Sequence, residues 1–163
     1  MLQHGYEIMF LSCRENWAAP RKRVLDLGCG SGILGIGALI LGCESCLGVD
    51  VDPKSPDVAS DNAALNGLHE DRIRFLAGDL LTDASLRRRL GTGYDIVLAN
   101  IVADVIIPLS PHVPAFLAPG GVYISSGIID GRQEEVRRAI EDSGFRILSH
   151  SSEDGWHCFA AAL

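Results

Sequence analysis

Apolar positions along the chain gather into short β-rich runs separated by longer amphipathic stretches. The runs Arg23–Leu27, Cys46–Val49, Arg72–Ala77, Ile96–Ala99 and Val122–Ser126 read as strands. The stretches Gly32–Leu41, Lys54–Asn66, a short Ala84–Leu90, Val102–Leu117 and Arg132–Ser143 read as helices. Gly42, Gly67 and Gly144 stand where a helix C-terminus wants a glycine, and Pro119-Gly120-Gly121 predicts a turn before the fifth strand. Strand–helix alternation of this kind implies a parallel sheet covered by helices.

The tail breaks the alternation. Phe145–His150 and Trp156–Ala162 are two more β-rich runs, joined only by Ser151–Gly155. A connection that short excludes a parallel crossover, so the last two strands are expected as an antiparallel hairpin closing a seven-stranded, mostly parallel sheet. Met1–Pro20 reads as a leading helix. With no repeat, low-complexity tract or linker, the expectation is one α/β domain over 1–163, with 21–163 as its core.

Composition narrows the class. Apolar residues make up 47% of the 163 residues and charged ones 21%, ordinary values for a globular protein. No apolar run reaches the roughly 20 residues of a membrane-spanning helix, and Met1–Phe10 has no secretory pattern. The chain is therefore read as cytoplasmic, with no membrane partner. A net charge of −7 argues against direct nucleic-acid binding through a broad phosphate-contacting surface, and leaves room for a basic protein partner. Arg87-Arg88-Arg89 is either a local anion patch or a solvated helix face. Five cysteines, an odd number scattered through apolar sequence, read as reduced core thiols. Cys43 and Cys46 form a CxxC at the end of a helix with no second ligand pair, so no metal site is expected.

The most informative segment is Val24 to Gly32, where an apolar strand runs into three alternate glycines and then a helix. Glycine there permits φ > 0 and lets a ligand approach the main chain, while the helix N-terminus offers free N–H groups. Two registers fit. Gly30-Ser31-Gly32-Ile33-Leu34-Gly35 satisfies the GxGxxG dinucleotide pattern. Asp26, Gly28, Gly30 and Gly32 satisfy DxGxGxG, which matches the apolar run better because Gly28 then ends the strand.

Carboxylates and one amide fall at the ends of the following strands. Asp50 closes the second strand, where a carboxylate can accept bonds from both ribose hydroxyls. Asp52 with Pro53 reads instead as the N-cap and first residue of the next helix. Asp79, after the third strand, is either an acceptor for an adenine amino group or a turn-capping residue. Asn100, at the end of the fourth, either orients an amine by accepting its N–H or caps the helix that follows.

Together the runs VLDLGCGSGILGIGAL, GVDVDP, ASDNAALNG, LANIVAD, LAPGG and SSGIID resemble the PrmA family, from about Arg23 to the C-terminus. The family's enzymes methylate amines of protein eleven of the large ribosomal subunit. DxGxGxG marks only the class I methyltransferase superfamily, whose Rossmann-like sheet also ends in an antiparallel hairpin; LANIVAD with the SGI segment is more specific. The resemblance implies S-adenosyl-L-methionine as cofactor, Gly28 and Asp50 as cofactor-binding positions, and Asn100 beside the transferred methyl. Asp26, Gly30, Gly32 and Asp79 complete the expected cofactor set. Family members carry an N-terminal domain that recruits the ribosomal protein, and this chain is expected to lack it. Their loop before the core ends in His-Pro-Thr-Thr, where this chain reads His4-Gly5-Tyr6-Glu7, with Glu7 at the place of a cofactor-contacting Thr.

The expected activity is transfer of a methyl group from a sulfonium to an amine of a basic ribosomal protein or a small amine, with Asn100 aligning the nucleophile and solvent taking the proton. Three other readings stay open: an NAD-type oxidoreductase, a cofactor-holding domain without catalysis of its own, and a small-molecule methyltransferase.

Overall fold

The structure, a computed structural model, describes residues 21–163; the expected leading helix and the His4–Glu7 segment lie outside the described residues. Seven strands form one sheet: β1 (Arg23–Leu27), β2 (Ser45–Asp50), β3 (Ile73–Ala77), β4 (Tyr94–Asn100), β5 (Leu117–Ile129), β6 (Arg146–Glu153) and β7 (Trp156–Ala162). Their order is β3-β2-β1-β4-β5-β7-β6, with β1 to β5 parallel and β7 antiparallel to both neighbours. This is the mostly parallel sheet with an antiparallel C-terminal hairpin that the alternation predicts. The order reverses between β1 and β4, and ligands of open α/β sheets bind at that switch point, beyond the strand C-termini.

Helices α1 (Ile33–Ile40), α2 (Ser55–Leu65), α3 (Ala84–Leu90), α4 (Ala103–Leu109) and α5 (Gln133–Asp142) cover both faces. The side-chain period of two divides the strands between two cores. Val24, Ile96, Leu98 and Ile124 pack with Leu34, Leu39 and Ala63 of α1 and α2. Leu25, Leu27, Val97 and Tyr123 pack with Leu86, Ile106, Val136 and Ile140 of α3, α4 and α5. The same alternation turns Asp26 toward α1.

Three expectations need correction. The single helix expected over 102–117 is α4 followed by a 3-10 helix, Ser110–Ala115. Pro111 and Pro114 lack the N–H that an α-helix needs, and the chain tightens rather than continuing. Pro119-Gly120-Gly121 is not a turn ahead of β5 but lies inside it, where the register with β4 shifts between Tyr94 and Ile96. Asp52 is not the N-cap of α2, which is Lys54; its Oδ1 accepts from Lys54 N (2.9 Å) and closes a turn before the helix.

The last strand has the bounds expected, and the first hairpin strand runs further than expected, up to Asp154-Gly155, both with positive φ (48° and 79°). That is the conformation of a two-residue type I′ turn, for which Asp-Gly is a preferred pair. Phe159 anchors the hairpin. It is wholly buried, His150 stacks on it at 4.4 Å between ring centroids, and the Arg137 guanidinium lies 5.4 Å from its ring centre. Phe159→Ala is expected to cost about 3–5 kcal/mol, read as a lower midpoint in urea unfolding; a loss under about 1 kcal/mol would mean that the hairpin is held elsewhere.

Candidate functional site

The site begins with two carboxylates that hold the glycine loop by its amides. Asp26, on the α1 side of β1, is wholly buried, and its Oδ2 accepts from Gly35 N at 3.0 Å. Asp50, at the C-terminal end of β2, accepts from Gly30 N at 2.7 Å through Oδ2 and from Asp52 N at 2.9 Å through Oδ1. Gly28 N and Cys29 N donate to Val49 O, and Gly32 N donates to Cys29 O. Most of the loop's amides are thus already taken by protein acceptors.

The glycines serve different ends. A Cβ on Gly28 would meet Ile101 Cγ2 at 2.3 Å, and one on Gly32 would meet Ala59 and Phe75 at 2.9 Å, so both allow β4, α2 and β3 to close on the loop. A Cβ on Gly35 would come 2.6 Å from Cys46 Sγ, so α1 can approach Asp26 only through this glycine. A Cβ on Gly30 would meet no protein atom. Packing does not call for glycine at Gly30; its φ of +50° does, and the open space beside it leaves room for a ligand to approach the main chain.

Beside the loop lies a cleft of about 310 Å³, walled by Gly28, Asp50, Asp79, Leu81, Ile101 and Val105 among others. Its walls combine apolar side chains with two carboxylates, the lining of a small-ligand pocket. Each Asp50 oxygen accepts one backbone bond and keeps a lone pair. Asp79 Oδ1 accepts from Leu81 N (2.8 Å) and Oδ2 from Thr82 Oγ1 (2.8 Å), which hold its carboxyl below the usual carboxylate range. Asp79 is therefore a turn-capping residue that also faces the cleft. Among the described residues, no His, Lys, Arg or Glu lines it.

Asn100 ends β4 one residue before Ile101. Its Oδ1 lies 2.7 Å from where a Cβ on Gly127 would stand, so Gly127, with φ of +81°, makes the room that the amide occupies at the end of β5. The capping alternative falls away, because Val102 is the N-cap of α4 and no side chain caps it. Of the expected site residues, Gly28, Asp50 and Asp79 share the cleft; Asn100 is not in its lining but directly precedes Ile101, which is; Gly30 faces open space; and Asp26 and Gly32 lie in the packing around the loop.

The sequence matches the family described as ribosomal protein L11 methyltransferase (PrmA) over residues 3–163. This chain belongs to the PrmA family. It is 46% identical over 140 residues to the ribosomal protein L11 methyltransferase of Agathobacter rectalis, an alignment covering 85% of this chain and 43% of that protein. It is 37% identical over 160 residues to that of Clostridium botulinum, covering 98% and 49%. The chain spans about half the length of these curated relatives. The crystal structure of a ribosomal protein L11 methylase from Lactobacillus delbrueckii subsp. bulgaricus superposes with a TM-score of 0.87 at 30% identity, covering 98% of this chain and 78% of that one.

Two PrmA segments now have a physical reading: LANIVAD carries Asn100 and the Ile101 that fills the space over Gly28, and SSGIID carries the glycine that seats Asn100. Gly127 and Gly35 escape a residue-by-residue reading, since what each makes room for is distant in sequence. Asn62, whose Nδ2 donates to Ser31 O at 2.9 Å, braces the loop from α2; its run ASDNAALNG belongs to the family resemblance, but nothing local assigns the residue this role.

Burial pushes the Asp26 carboxyl up to about 7; the Gly35 N–H opposes this and the charge of Asp50 adds to it. In the unfolded chain the group titrates near 3.8, so between the two values the folded state holds the extra proton and stability falls as pH rises. Asp26→Asn keeps the acceptor for Gly35 and cannot titrate. The stability of the native chain relative to this variant is expected to drop by about 1.4 kcal/mol per pH unit across that window. A difference that stays flat from pH 4 to 7, in urea unfolding, would show that Asp26 is not perturbed.

Proposed function

We propose that this chain holds S-adenosyl-L-methionine in the cleft beside Gly30 and transfers its methyl group to an amine of ribosomal protein L11, the substrate named for its relatives. One observation carries the choice of cofactor: Gly28, Cys29, Gly30, Gly32 and Gly35 all have protein acceptors for their N–H groups. In the dinucleotide reading such amides cradle a pyrophosphate. Here two carboxylates take their place, and Asp50 and Asp79 add negative charge to the cleft wall. That field repels phosphate and attracts a sulfonium with its amino group.

Asp50 offers its two remaining lone pairs to the ribose hydroxyls, and Asp79 faces the adenine amino group beside Leu80 and Leu81. Gly30 gives the main chain its closest approach, with Asp26, Gly28 and Gly32 shaping the loop around it. The bound cofactor supplies an already activated methyl group. The protein's task is position and electrostatics. Asn100 accepts an N–H of the incoming amine and aims its lone pair, and water takes the proton, since no basic side chain among the described residues lines the cleft.

Titration calorimetry with S-adenosylhomocysteine is expected to show binding where NAD gives none; the reverse result would restore the oxidoreductase. Asp50→Ala should weaken that binding by about 1.5–3 kcal/mol, with a folded variant of native affinity removing the ribose assignment. Asn100→Ala should keep homocysteine-nucleoside affinity within a few-fold while methyl transfer to ribosomal protein L11 falls by about two orders of magnitude, or ~3 kcal/mol of transition-state stabilisation. Methylation that persists in the variant would leave Asn100 as packing against Gly127. A native chain that binds the cofactor product but methylates neither the ribosomal protein nor small amines would favour a cofactor-holding domain.

A further inference from the structure

A second cleft, of about 350 Å³, opens at the other end of the strands, where β1 to β4 begin. Its lining includes four of the chain's 14 lysines and arginines: Arg23, Arg72, Arg74 and Arg89. The short α3 ends above it at Leu90, leaving Leu47 of β2 and Leu76 of β3 half-buried in the lining.

Two of these arginines are engaged with the protein. Arg23 donates to Thr92 O and Gly93 O and lies 4.9 Å from the Tyr94 ring centre, and Arg72 donates to Cys43 O and Glu44 O. The side chains of Arg74 and Arg89 make no hydrogen bond or ion pair with the described residues, and neither do those of Glu70 and Asp71, which line the same cleft. Asp83 feels the positive charge of Arg89, but its Oδ1 is occupied in capping α3, where it accepts from Ser85 N and Leu86 N. Guanidiniums and carboxylates without partners among the described residues, together with apolar side chains, therefore share one cavity of small-ligand size.

We propose that this cleft binds a ribonucleotide unit, with its phosphate on Arg74 and Arg89. The planar guanidinium fork matches a phosphate bidentately. Glu70 and Asp71 can accept only, so they call for a ligand that also donates; ribose hydroxyls and base amino groups do. The flat face of a base covers Leu47 and Leu76. An acidic peptide would satisfy the arginines alone, leaving the leucines bare and facing Glu70 and Asp71 with more negative charge. The chain's net charge of −7 argues against a broad phosphate-tracking surface, and one cleft requires none.

The test uses the full chain with S-adenosylhomocysteine at saturating concentration, and uridine monophosphate as probe, because it lacks the adenine that the first cleft would accept. Amide chemical shifts of Leu47, Arg74 and Leu76 are expected to move on titration. The double variant Arg74→Ala/Arg89→Ala should weaken uridine monophosphate binding at least ten-fold and leave S-adenosylhomocysteine affinity unchanged. A hexauridylate that binds more tightly than the monomer, with steeper salt dependence, assigns the site to an RNA strand; equal affinity assigns it to a free nucleotide. No shift change at millimolar nucleotide overturns the proposal, as does equal binding by inorganic phosphate or by a poly-glutamate peptide.

Discussion

The glycine loop is held by carboxylates rather than left open for phosphates, and much of the site depends on that. Gly30 N bonds Asp50 and Gly35 N bonds Asp26, so the end of β2 and the inside of β1 fix the loop's path between them. Where the carboxylate is ionised, such a bond is about twice as strong as a neutral one. The carboxylates also leave a negative field around the pocket. Burial raises Asp26 toward neutrality, so its role in the loop is largely that of an acceptor, while Asp50 and Asp79 are the acidic side chains on the cleft wall.

The parallel sheet sets where these groups can act. Its order reverses between β1 and β4, and the ends of β1, β2 and β4 meet the loop there. Close approach at that edge requires the absence of side chains: Gly28 admits Ile101, Gly127 admits Asn100, and Gly35 admits the strand thiol and carboxylate. The functional groups sit on well-packed strand ends, with Val97, Ala99 and Leu27 behind them at no more than 0% exposure. Such support keeps the amide of Asn100 and the carboxylate of Asp50 in one arrangement.

Where the sequence reading failed, a local signal met a tertiary constraint. Prolines 111 and 114 permit one helical turn at a time, and a periodic apolar pattern concealed the change from α to 3-10. Pro119-Gly120-Gly121 has turn chemistry, yet pairing with β4 draws it into the strand and the irregularity becomes a register shift. Asp79 is both a turn cap and a cleft residue, two readings that the sequence presented as alternatives.

The sequence by itself determined the fold class, the strand-and-helix order, the antiparallel tail and the family, because apolar periodicity, turn residues and contiguous motifs are local properties. It also placed Asp26, Gly30, Asp50, Asp79 and Asn100 near strand ends, since a strand's end is written in its own residues. Only the tertiary structure decided which of them share a cleft, which lie in the packing around the loop, and that Gly127 exists to seat Asn100. Those facts depend on atoms meeting across separations such as 26 to 35, 30 to 50 and 100 to 127, and no single stretch of chain records such a meeting.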